Sequence, residues 1–179
     1  MPDPLQFNVE PLDPAKHRRE AFDCGVEPLN VFLKTRANRE AQVFASACYV
    51  LVPASEPARI AGYYTLSATT IRLKEIAVEK QAQLRLPKSY PELGAVLVGR
   101  LARDLAFAEH RIGEKLIFSA LFRSYREAKK VGAVAVVVDS KSAEATQFYQ
   151  RYGFIPLDGG RLWLPMRDVP HWCPAVSEP

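Results

Sequence analysis

AVAVVVD, residues 133–139, places six apolar residues in unbroken succession before its first charge. A strand with one wet face alternates apolar and polar side chains, so an unbroken, valine-rich run of this length predicts a strand covered on both faces. Its neighbours agree. Upstream, IGEKLIFSALFRSYREAKK (112–130) sets Ile112, Leu116, Ile117, Ala120 and Leu121 on one side at helical spacing, and Gly132 stands where a helix closes in a left-handed turn. Downstream, Ser142 is placed to cap a helix through SAEATQFYQRY, which Gly153 ends. AVLVGRLARD (95–104) predicts the strand before the long helix, and FIP and RLWLPM predict two short final strands. Strand, helix, strand, helix, strand predicts an α/β sheet with at least one parallel pair.

The first half is less regular. Pro14 opens a short predicted helix through His17–Ala21, Gly25 breaks it, and residues 28–42 predict a second helix with Leu29, Phe32 and Leu33 as its apolar stripe. Residues 47–53 and 58–73 predict strands, the latter with Gly62 as a bulge, and Val78–Gln83 predicts a helix. Residues 1–13 and 167–179 are proline-rich and are expected to be loose ends.

The 179 residues favour a single domain, 1–179, with 48% hydrophobic and 25% charged residues, an ordinary globular balance. No run spans a membrane and the N-terminus lacks a basic-then-apolar signal pattern, so a cytoplasmic protein is expected, with no membrane partner. A net charge of +4 permits an anionic partner without requiring one. Three scattered cysteines, Cys24, Cys48 and Cys173, give no disulfide framework, and with three histidines they form no metal-ligand spacing, so no metal is expected.

The turn EHRIGEKL (109–116) lies between a strand and a long helix. There the first helical N–H groups lack partners and the dipole is positive, so the place suits a phosphate. Gly113 removes a side chain where a ligand would approach, and Arg111 and Lys115 add positive charge. Taken alone, a single glycine at a helix start is as compatible with a plain turn.

The setting carries more. VGRLARD, this turn, the long helix, AVAVVVDS, the helix with ATQFYQRYGF and the strand ending LWLPM together resemble the GNAT acyl-CoA N-acetyltransferase superfamily. FDCGVEPLNVFLKTRA (22–37), GYYTLS (62–67), GRLARD (99–104) and FYQRYGF (148–154) are similar to one branch, the acetyltransferase toxins of bacterial toxin–antitoxin pairs. The resemblance runs from about Phe22 to Met166. It implies a GNAT fold, a mixed central β-sheet flanked by helices, with acetyl-CoA as cosubstrate. The family loop reads Gln or Arg, two residues, Gly, one residue, then Gly or Ala. Ala108, Arg111 and Gly113 stand at those positions, so only the last glycine is kept. The resemblance further implies that Leu101, Ala102 and Arg103 line the pantetheine arm. It gives the pyrophosphate to Arg111, Ile112, Gly113, Glu114 and Lys115.

Tyr149 matches the tyrosine this branch places near the thioester sulfur. A phenol with a pKa of about 10 keeps its proton at neutral pH and can donate it; helix position alone leaves a packing role equally open. Glu109 and Asp104 are base candidates by residue type only. An α-amine, with a pKa of roughly 7.7–8.0, is partly neutral without a strong base, whereas a lysine near about 10.4 is not. That favours an α-amine, and the resemblance implies the amino group of aminoacyl-tRNA. Lys34, Arg36, Arg39 and Arg100 are candidates to hold tRNA phosphates, with Arg123, Arg126 and Lys130 sharing a face of the long helix. A homodimer and a ribbon-helix-helix antitoxin are also implied. The alternatives are a GNAT enzyme acting on a small-molecule or protein amine, and a non-catalytic interaction module.

Overall fold

The computed structural model describes residues 5–177. Its elements run β1 (Phe7–Pro11), α1 (Glu27–Val31), α2 (Ala37–Gln42), β2 (Ala47–Pro53), β3 (Gly62–Arg72), α3 (Val78–Leu84), β4 (Glu92–Arg103), α4 (Ile112–Val131), β5 (Ala135–Asp139), α5 (Ala143–Gln150), β6 (Ile155–Pro156), β7 (Arg161–Pro165) and α6 (Val169–Trp172). The seven strands form one mixed sheet in the order β1-β2-β3-β4-β5-β7-β6. The chain divides into two units, Met1–Ser67 with Gly99–Ala120, and Ala68–Val98 with Leu121–Pro179.

In the second unit β5 lies between two partners. It pairs parallel with β4 through Val96–Val98 and antiparallel with β7 along its whole length. Ala135, Val136, Val137 and Val138 are all fully buried, as the unbroken apolar run requires. Val137 packs in a core with Ile71, Ile76, Ala95 and Trp163. Each such side chain taken wholly out of water contributes about 1.5–3 kcal/mol. On α4 the five residues placed on one face are all buried. Gly132 closes it at φ +76° with its N–H on the Ala128 carbonyl. The Ser142 hydroxyl accepts the Ala145 N–H at 3.1 Å, capping α5.

The first unit has its own core, with Phe22, Phe32, Leu33, Val50 and Tyr63 at its centre. The helix expected over 28–42 is interrupted by a π turn at Phe32–Arg36. Its cause is local: the Thr35 hydroxyl donates to the Val31 carbonyl at 2.8 Å, and the Arg19 guanidinium donates to the Lys34 carbonyl at 3.0 Å. Side chains that capture helix carbonyls loosen the regular ladder. Gly62 is no bulge. It opens β3 in register with Leu51, and a Cβ there would lie 2.8 Å from Ile112 and Leu116 and 3.0 Å from the Ala102 carbonyl. The glycine lets the first turn of α4 lie close against β3. The strand expected from residue 58 begins only at Gly62, because Arg59 is still turning, its N–H on the Glu56 carbonyl at 3.0 Å.

Both expected loose ends are structured within the described residues; residues 1–4 and 178–179 lie outside them. β1 pairs with β2 from Phe7↔Pro53 to Pro11↔Tyr49. In place of the helix expected at Pro14–Ala21 there is a turn and a short 3₁₀ segment, Arg19–Ala21. His17 is drawn inward instead: its Nδ1 accepts the Asp13 N–H at 2.9 Å and its Nε2 donates to Glu10 at 2.6 Å. Lys16 and then His17, by their hydrogen bonds, hold the Glu10 carboxyl below its ordinary value. At the other end Val169 and Cys173 are buried, and the Trp172 indole sits where a Cβ on Gly153 would be, 2.1 Å away. Gly153 also has φ +88°, a region that disfavours every L side chain. Gly153→Ala is therefore expected to lose about 1–3 kcal/mol of stability and to speed proteolysis of the segment after Met166. Urea unfolding and limited proteolysis measure both.

Candidate functional site

The end of β4 is fixed by one buried carboxylate. Asp104 accepts the Ala106 N–H at 2.8 Å and the Asp23 N–H at 3.0 Å, while its own N–H reaches the Ala61 carbonyl at 2.9 Å. Asp23 in turn accepts from Gly25 N–H at 2.8 Å and from the Asn30 amide at 2.9 Å, and Asn30 accepts the Cys24 N–H at 2.9 Å. The Gly25 N–H first, then the Asn30 amide, hold the Asp23 carboxyl below its ordinary value. Asp104, a base candidate by residue type, has the geometry of a polar cap at the strand end. Glu109 is exposed on the turn that follows.

That turn, Leu105–His110, is pinned by rings. Phe107 is buried, 6.0 Å edge-on from Phe7 and 6.0 Å from His110, with the Arg59 guanidinium 4.8 Å from its centre. The turn ends at Arg111, whose φ of 52° and ψ of 37° are left-handed. This is the position where the resembled loop carries a glycine. The backbone has kept the glycine-type turn with an arginine in it. The Lys115 N–H bonds the Arg111 carbonyl at 3.2 Å, so the amides of Ile112 and Gly113 precede the first intrahelical bond of α4. Arg111 itself bends back to Glu114 at 2.6 Å. Lys115 is exposed, its Nζ 5.9 Å from the Phe7 ring. On β4, Leu101 is half-buried, Ala102 buried and Arg103 exposed, with the Arg103 guanidinium donating to the Ala108 carbonyl at 3.1 Å.

Among the basic candidates, Arg36 and Arg100 converge on one ring. The Arg100 guanidinium carbon is 3.6 Å from the Phe32 centroid and that of Arg36 is 5.6 Å away. Arg36 also pairs with Glu40 at 2.7 Å. Arg39 is exposed and Lys34 half-buried on the same helical stretch. In the second unit, Arg126 and Lys129 lie over the Phe122 and Tyr125 rings, and Lys130 pairs with Glu127 at 3.0 Å.

Tyr149, also in the second unit, is 7% exposed, with Phe148 and Phe154 edge-on at 5.2 and 5.5 Å. Burial first, and then the Asp139 charge, push its phenol up to about 12. Phe148 is only half-buried and meets Tyr152 at 5.2 Å. The carboxylate clasp of Asp23, Asn30 and Asp104 was not anticipated as a group. Asp-Cys-Gly is a recognisable Asx-turn sequence, but nothing local ties it to a residue 81 positions away. None of the three cysteines forms a disulfide, and among the described residues no cluster of His, Cys, Asp or Glu could hold a metal ion.

No protein-family model matches the chain. The probable toxin TacT of Sinorhizobium fredii is 25% identical over 170 residues, covering 90% of this chain and 92% of that protein. A tyrosine-to-phenylalanine mutant of KacT superposes with a TM-score of 0.83 at 29% identity, over 93% of this chain and 98% of that one. AtaT complexed with acetyl-methionyl-tRNAfMet also gives 0.83, at 27% identity over 92% and 97%. An AtaT mutant bound to acetyl-CoA and the C-terminus of the antitoxin AtaR gives 0.75, at 26% identity over 93% and 97%. The mixed sheet flanked by helices is the fold of these toxins.

Arg111→Gly is expected to raise stability by about 1 kcal/mol, because a left-handed L-residue costs about 1–2 kcal/mol and its exposed ion pair returns little. Urea midpoints of the two proteins test it.

Proposed function

We propose that the chain, a GNAT-fold relative of the acetyltransferase toxins TacT, KacT and AtaT, transfers the acetyl group of acetyl-CoA to the α-amine of aminoacyl-tRNA and so blocks translation. The observation that carries this reading is the left-handed turn at Arg111. It leaves the amides of Ile112 and Gly113 ahead of the helix ladder, beside two cations, in a loop otherwise pinned on every side. A phosphate is what such a helix start accepts.

In this reading the backbone of Leu101, Ala102 and Arg103 pairs with the pantetheine arm. Arg111, Ile112, Gly113, Glu114 and Lys115 hold the pyrophosphate. Acetyl-CoA supplies the acetyl group as a thioester. Tyr149 gives its proton to the departing sulfur, and the proton lost by the amine goes to solvent. Burial pushes the Tyr149 phenol up to about 12, so it still holds its proton when the sulfur departs. Lys34, Arg36, Arg39 and Arg100 contact tRNA phosphates. We read the two units as one domain, since β3, β4 and α4 each run unbroken from one into the other. We further propose a cytoplasmic homodimer, neutralised by a ribbon-helix-helix antitoxin. AtaT is solved with the C-terminus of AtaR, which supports an antitoxin. Among the described residues no helix is long and apolar enough to cross a membrane.

The test is transfer of labelled acetyl from acetyl-CoA to a pool of charged tRNA. Tyr149→Phe is expected to cut turnover about 10²–10⁴-fold and leave acetyl-CoA affinity unchanged. Full activity in that variant removes Tyr149 from the chemistry, and label only on lysines or small amines replaces the substrate. The pH profile of kcat/KM should rise through the α-amine range, about 7.7–8.0. It should then stay flat well past about pH 9, because burial keeps the raised phenol protonated. A falling limb near pH 9 assigns the proton to another group.

A further inference from the structure

Phe44 is 95% exposed, the most exposed of the large apolar side chains described, and its φ is 58°. A bulky residue rarely takes that conformation, and here no burial offsets it. The turn is nevertheless held firmly. The Ala45 N–H bonds the Glu40 carbonyl at 2.9 Å, and the Ser46 hydroxyl bonds the Glu40 carboxylate at 3.0 Å. The same carboxylate accepts from Arg36 at 2.7 Å. One glutamate thus fixes both the turn that raises Phe44 into water and the arginine one helical turn before it. Arg39, exposed, lies between them on α2.

An aromatic ring held out in solvent on a turn that Glu40 ties to the Arg36 guanidinium, with Arg39 exposed on the helix before it, offers the stacking surface and positive charge that receive an unpaired base and its phosphates. We propose that Phe44 stacks on an unpaired base of the tRNA substrate while Arg36 and Arg39 neutralise the neighbouring phosphates. This rests on the charged-tRNA reading above. The charge favours nucleic acid over a protein partner, for which the exposed Val43 beside it would be the only large apolar companion in the turn.

The experiment compares wild type, Phe44→Gly and Phe44→Trp. Glycine suits the left-handed backbone, so the first variant should fold with a higher Tm. Its KM for charged tRNA should rise about tenfold, with kcat and acetyl-CoA affinity unchanged. Phe44→Trp should keep the wild-type KM, and its indole fluorescence should be quenched when tRNA is added. An unchanged KM in Phe44→Gly overturns the stacking role, and a changed oligomeric state with unchanged KM does so in favour of a protein contact. A wild type that acetylates no charged tRNA sinks the underlying reading, and this inference with it. A wild type that does so, matched by Phe44→Gly, sinks the stacking alone.

Discussion

A buried carboxylate at the end of β4 holds together most of what surrounds the turn ending at Arg111, the proposed phosphate cradle. Asp104 ties the strand end to Ala61, caps the turn that follows and anchors Asp23. Through Asp23 and Asn30 it reaches α1. Buried charge is costly unless every lone pair finds a donor, and here the donors are main-chain N–H groups in fixed positions. The arrangement costs little because those same N–H groups would otherwise be orphans at chain turns. Removal of the carboxylate would release several main-chain segments at once.

The second constraint is closeness. Gly62 lets α4 approach β3 within a distance no Cβ would allow, and Phe7 and Phe107 fill the space on the other side of the turn. The cradle is therefore shaped by a missing side chain below and two rings beside it. Its positive charge comes from Arg111 and Lys115, and Arg111 also shapes it, because its backbone holds the left-handed turn where the resembled family has a glycine.

The elements easiest to read in the sequence were those whose signal is local and repeated. β5 announced itself by its unbroken valines, α4 by five buried residues at helical spacing, and α5 by Ser142 and Gly153. β1 was hidden by the prolines around it, although Phe-Asn-Val-Glu alternates as an edge strand should. α6 was hidden by the prolines of the tail, although Pro170 stands in the first turn, where proline fits a helix. The π turn depends on a hydroxyl and a guanidinium each choosing a carbonyl, which no periodicity reports. Of the candidate site, the cradle and Tyr149 were legible only through resemblance. Arginine has no preference for a left-handed turn, and an aromatic on a helix is as often packing as chemistry. Phe44 gave no signal, since nothing in its neighbours predicts a positive φ.

The indole of Trp172 lying on Gly153 has a consequence for the order in which the chain is made. The elements of the first unit, including the cradle, have all been synthesised by residue 120, and Tyr149 follows soon after. The helix that carries Tyr149 ends at a glycine whose covering ring arrives 19 residues later. At roughly 5–20 residues per second, that interval lasts about one to four seconds. Until Trp172 has been made, the end of α5 at Gly153 lacks the ring that covers it.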